Sequence, residues 1–165
     1  MNDPIRSLTD YQWCMKLALE EAERGWKLDE VPIGALVISE IGEILASAHN
    51  LKEKTHNPLG HAELIAMAEA AKKRANWRLE KCTLVVTLEP CPMCLAAMRE
   101  ARIERVVFGA YDGKGGALSL NYNLHQDNRL NHRFDVVGGI EHFACSKILS
   151  DYFRSKRQEY KMKFN

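Results

Sequence analysis

Thr83-Leu84-Val85-Val86-Thr87-Leu88-Glu89-Pro90-Cys91-Pro92-Met93-Cys94, continued to Ala110, is the stretch from which the fold can be read. Thr83 to Leu88 is a short apolar run rich in β-branched residues, the pattern of a buried strand. Cys91 to Ala101 turns to helix formers, with Pro92 tolerated in a first helical turn. Val106 to Ala110 returns to strand. A strand, a helix and a strand in succession imply two parallel strands joined by a helical crossover.

Upstream, Thr9-Asp10-Tyr11-Gln12 has the form of a capping box, and Tyr11, Cys14, Met15, Ala18, Leu19 and Ala22 recur at helical spacing, with Gly25 placed to end that helix. Ile33 to Ser39 and Ile44 to Ala48 read as a hairpin turned through Gly42, and His61 to Ala75 as a helix. Downstream, Asp112 to Leu130 reads as loop with room for one helical turn. Arg133 to Val137 reads as a last strand, and Ile140 to the end as helix. The expected fold class is therefore α/β: a three-layer α/β/α arrangement around a central mixed sheet of roughly five strands. Residues 1–165 are expected to form a single domain, with a basic C-terminal helix from about residue 140.

The chemistry is concentrated in two short motifs. His61-Ala62-Glu63 supplies an imidazole and a carboxylate; Cys91 and Cys94 supply two thiolates three residues apart. One His and two Cys fall one ligand short of a closed structural zinc site, and three protein ligands with a fourth position left to water are the arrangement of a catalytic zinc. His61 and Cys91 each open a predicted helix, so two helix N-termini should converge on one Zn2+ per chain. Glu63 is left over as a general acid and base. Taken singly, His-x-Glu is a common surface pair and Cys-x-x-Cys could be a redox pair or half of a structural site with Cys82 or Cys145 drafted in. Only the two motifs together favour catalysis.

Composition sets the frame. Five cysteines in 165 residues, an odd number with two in one motif, do not make a disulfide framework, and Cys14, Cys82 and Cys145 read as buried thiols. The first residues lack the apolar core of a signal peptide and no apolar run reaches membrane length, so no membrane partner and a cytoplasmic location are expected. A net charge of +1 gives no global sign of a nucleic-acid partner, yet Arg154, Lys156, Arg157, Lys161 and Lys163 cluster against a single Glu159. By itself that cluster reads as a solvated helix face.

Taken together, Glu30-Val31-Pro32-Ile33-Gly34-Ala35, Asn50, His61-Ala62-Glu63, Glu89 to Cys94, and Arg102-Ile103 to Phe108-Gly109-Ala110 resemble the motifs of the cytidine/deoxycytidylate deaminase superfamily. Asp112 to Ala117, Leu130 to Arg133 and Asp151 to Arg157 resemble, within it, the bacterial tRNA-specific adenosine deaminases, which convert a wobble adenosine to inosine. The resemblance covers nearly the whole chain. It implies a cytidine deaminase-like fold, a tRNA anticodon stem-loop as partner and a homodimer. It also implies Asn50 contacting the base, Asp112 and Lys114 lining the approach, and Arg154, Lys156 and Arg157 meeting phosphates. The chain departs from the family pattern at Ser119-Leu120 and at Tyr111, both in the loop expected to face nucleic acid. Two other readings stay open: a deaminase of a free nucleobase or nucleoside, and an RNA-binding module with structural zinc.

Overall fold

The computed structural model describes residues 8–164. Five strands, β1 (Gly34–Ile38), β2 (Ile44–His49), β3 (Thr83–Leu88), β4 (Arg105–Ala110) and β5 (Asp135–Val137), form one sheet in the order β2-β1-β3-β4-β5. β1 is antiparallel to both β2 and β3, while β3, β4 and β5 run parallel. The sheet is therefore mixed, as the alternation of elements implies.

Because strand side chains alternate between faces, β1, β3 and β4 each feed two cores. Ala35 and Val37, Leu84 and Val86, and Val106 and Phe108 point to one face, beneath α3 (Ala62–Arg74) and α4 (Pro92–Glu100). Leu36, Ile38, Val85 and Val107 point to the other, beneath α1 (Leu8–Lys27) and α5 (His142–Phe164). Two glycines let helices of this second layer approach closely. A Cβ at Gly34 would overlap the carbonyl oxygen of Ala18 in α1, and one at Gly109 would overlap the sulfur of Cys145 in α5.

Several boundaries differ from the sequence reading. Thr9 lies inside α1 rather than capping it. Gly25 does not end that helix. Asp29 does, with φ of 66°, while the N–H groups of Asp29 and Glu30 donate back to Trp26 and Gly25 in a Schellman arrangement. The glycine serves packing instead, since a Cβ there would sit 3.2 Å from Cβ of His49. A four-residue helix, α2 (Lys52–Thr55), appears in a segment too short and polar to announce itself. The last strand is shortened to Asp135–Val137, and residues 112–130 are turns without a helix. No helix among the described residues is long and apolar enough to cross a membrane.

Candidate metal centre

His61 is the N-cap of α3 and Cys91 the N-cap of α4, each in extended backbone conformation. Pro92 follows at the first helical position, where its missing N–H costs nothing. The imidazole Nδ1 of His61 lies 3.8 Å from Sγ of Cys91 and 3.5 Å from Sγ of Cys94. All three donor atoms fall within 4.8 Å of one another.

Those spacings test the metal directly. Tetrahedral zinc, with bonds of about 2.3 Å to sulfur and about 2.0 Å to nitrogen, holds a sulfur and a nitrogen about 3.5 Å apart. His61, Cys91 and Cys94 fit a single Zn2+ in both donor type and separation.

The Cys91 thiol is held down to about 4, first by its hydrogen bond with Cys94 and then by His61, despite opposing burial. Cys94 is pushed up by the same hydrogen bond and by burial. His61 is raised, chiefly by its hydrogen bond to Cys91. Glu63, in the first turn of α3, is 4% exposed, and burial pushes its carboxyl upward.

Asn50 reaches the same place by a different route. Leu51 N–H donates to the Gly60 carbonyl, closing residues 51–60 into a loop that brings Asn50 back to His61. Glu30, 1% exposed, steadies that loop by accepting from the Lys54 N–H at 2.8 Å. Oδ1 of Asn50 then accepts from the Ala62 N–H at 3.0 Å, satisfying one of the open donors of α3. Asn50 is therefore oriented by the helix that carries His61 and Glu63.

With this geometry in view, the comparisons are specific. The family model for the cytidine and deoxycytidylate deaminase zinc-binding region matches residues 8–110. The chain belongs to that family. It is 46% identical to the tRNA-specific adenosine deaminase of Bacillus subtilis (strain 168) over 93% of this chain and 95% of that one. It is 40% identical to the enzyme of the same name from Haemophilus influenzae, over 90% and 86%. Among solved structures, one described under A-to-I editing by tRNA:A34 deaminases at the wobble position matches with a TM-score of 0.75 and 35% identity, covering 83% of this chain and 99% of that one. The guanine deaminase of Nitrosomonas europaea, at 21% identity and a TM-score of 0.72 over 92% and 97%, shares the fold.

The remaining candidate residues lie outside the metal cluster. Oδ1 of Asp112 accepts from the N–H groups of Lys114 and Gly115, so the carboxylate orders its own loop. Asp112 also borders a groove of about 420 Å³ with Tyr111, Leu88 and, from α5, Ser150 and Phe153. Tyr111 packs edge-on against Phe108, with ring centroids 4.9 Å apart. On α5, Arg154 pairs with Asp151 at 3.4 Å and Arg157 is exposed. The Lys156 ammonium is paired to Asp29 and, at 3.0 Å, to Glu159. The Tyr152 hydroxyl donates to the Asp29 carbonyl at 3.1 Å, so Tyr152 and Lys156 together tie α5 to the end of α1.

Of the other thiols, Cys14 is pushed up to about 11 and Cys145 to about 12, both chiefly by burial. Cys82 is buried too, but not in purely apolar surroundings, because a guanidinium N–H of Arg74 donates to its sulfur at 3.0 Å. Sequence reasoning gave Glu89 no role of its own, although it is 2% exposed. Its signal was a carboxylate closing an apolar strand immediately before Pro90.

Proposed function

We propose that this chain catalyses hydrolytic deamination of adenosine to inosine at the wobble position of a tRNA anticodon, consuming water and releasing ammonia. The observation that carries the reading is a His61, Cys91 and Cys94 cluster beside the buried carboxylate of Glu63, in a chain this similar to tRNA-specific adenosine deaminases.

His61 through Nδ1, with Cys91 and Cys94 through sulfur, would hold one Zn2+. When bound, that ion supplies Lewis-acid activation of the attacking water. Glu63 accepts one proton from the water and returns it to the purine ring nitrogen beside C6, then takes the second from the hydroxyl newly bonded to C6 and hands it to the amino group, which leaves as ammonia. Its burial suits the first half of the task, because a raised carboxyl is the stronger base toward the water's proton. Asn50, with Oδ1 committed to the Ala62 N–H, offers its amide N–H edge to the base. Turning the base out of an anticodon loop is inexpensive because loop bases are unpaired.

Asp112 and Lys114 would line the approach, and Arg154 and Arg157 would meet phosphates, with Lys156 fixing the helix that presents them. Residues 1–165 act as one deaminase domain, in the cytoplasm, as a homodimer. Support for the dimer comes from α4, where Cys94, Leu95 and Met98 are buried while Met93, Ala96 and Ala97 remain half-exposed. Sedimentation at micromolar concentration tests it, and a monomer would contradict it.

The decisive assay is incubation with an anticodon stem-loop carrying a wobble adenosine, read by inosine formation. Activity on a free base with none on the stem-loop would select the small-molecule alternative. Four-coordinate zinc without an exchangeable water would select the RNA-binding module.

A further inference from the structure

Glu89 is a buried carboxylate that the chemistry above does not use. It stands between Leu88, the last residue of β3, and Pro90, which precedes Cys91. Its Oε2 accepts from the Asp112 N–H at 2.9 Å and from the Ser119 hydroxyl at 2.6 Å, and its Oε1 accepts from the Ser119 N–H at 2.7 Å. Beside it, the Ala117 N–H donates to the Pro90 carbonyl at 2.8 Å. Gly116 lies directly over the carboxyl group, where a Cβ would overlap it.

Residues 112–119 have no strand ladder of their own and consist of turns. Besides the Asp112 carboxylate, which accepts from the Lys114 and Gly115 N–H groups, what holds them is Glu89, the Pro90 carbonyl and the packing of Ala117 and Leu118 into the core beneath α4. Cys91 and Cys94 have independent support, since Cys94, Leu95 and Met98 seat α4 in that core. Ser119, where the chain departs from the family pattern, gives Glu89 two of its three donors.

We infer that Glu89 is a positioning residue: its carboxylate fixes the loop bearing Asp112 and Lys114 to the peptide that carries Cys91. The surface met by incoming RNA is thereby held in register with the metal centre. This rests on the deaminase reading above. A carboxylate is required because all three partners are donors. An amide of the same size would turn an N–H toward one of them, leaving a buried donor unmet.

The test is Glu89→Gln, with Ser119→Ala as a milder second variant. Zinc content, kcat and KM on the anticodon stem-loop, and amide hydrogen exchange across residues 112–119 are measured. Expected for Glu89→Gln are unchanged zinc, kcat within about threefold, KM raised about tenfold, and faster exchange at Asp112 and Ser119. Ser119→Ala should move KM the same way by less, and should add little to Glu89→Gln, because both act through one hydrogen-bonded unit.

A fall in kcat at constant KM, or loss of zinc, would overturn the inference, since either is what a merely structural role produces. If Glu89→Gln fails to fold, Ser119→Ala decides alone: a KM rise supports the inference and an unchanged KM overturns it. Absence of inosine from the unsubstituted protein would overturn the tRNA reading only. The exchange comparison would then still decide whether Glu89 fixes the loop.

Discussion

The two regions of this molecule that carry candidate functional residues are built on opposite principles. At the metal centre, His61 and Cys91 are the N-caps of α3 and α4, and Glu63 and Cys94 lie in the first turns behind them, all half-buried or buried. On α5, Arg154 and Arg157 are exposed, Arg154 being paired within the helix to Asp151, while Tyr152 and Lys156 are tied to Asp29. Bond-making chemistry demands positions accurate to fractions of an ångström. Charge attraction to a flexible polyanion works over several ångströms and tolerates mobile side chains. The contrast predicts abrupt losses in one region and graded losses in the other.

The largest effect is expected from Cys91→Ala, which should lose stoichiometric zinc, all measurable turnover and part of the thermal stability, because metal binding contributes to folding. Zinc analysis and a thermal melt of the variant check this. Glu63→Ala comes next. It should retain zinc and fold while kcat falls by about 10²- to 10⁴-fold, the range for a positioned acid and base. A near-normal rate would remove Glu63 from the mechanism.

Smaller, and different in kind, is the response of Arg154→Ala with Arg157→Ala. Zinc and kcat should hold, while tRNA affinity falls and its salt dependence flattens by up to about two ion contacts. Lys156→Ala should behave unlike its neighbours, lowering the melting temperature slightly and leaving the salt slope nearly unchanged. If all three basic residues shift the slope equally, the division of α5 into strut and docking face is wrong.

The smallest perturbation is chemical. After chelation of zinc, a thiol alkylating reagent at pH 6 should modify Cys91 first, since it is half-exposed and already a thiolate, held near a pKa of about 4. Cys14 and Cys145, pushed to about 11 and about 12 and buried, should lag far behind. Zinc should protect Cys91. Peptide mapping reads the order.

Much of the metal centre was legible because its determinants are local. The alternation of strand, helix and strand from Thr83 to Ala110 fixes where the second helix starts. Two helix starts bearing His and Cys can then be recognised within a few residues each. The α5 region was not. The partner of Lys156 is Asp29, at the far end of the chain, and no spacing rule links the two. Glu89 failed to stand out for the same reason, since its donors Asp112 and Ser119 belong to a loop whose path no periodicity reveals. Gly25 misled because glycine both ends helices and permits close packing, and only the nearness of His49 distinguishes the two.

The seat of Cys145 against Gly109 and the bond from Tyr152 to Asp29 make α5 a beam resting on two supports about 10 Å apart along its axis. A beam held at one point pivots; held at two, it keeps its bearing, and the part beyond the second support becomes an overhang. Residues 157–163 form that overhang, all of them exposed. Its direction is set by whatever fills the space above Gly109. A side chain bulkier than cysteine at position 145 would tilt the beam about Tyr152 and swing Arg157 the opposite way, redirecting the cationic tip without any change to its own sequence.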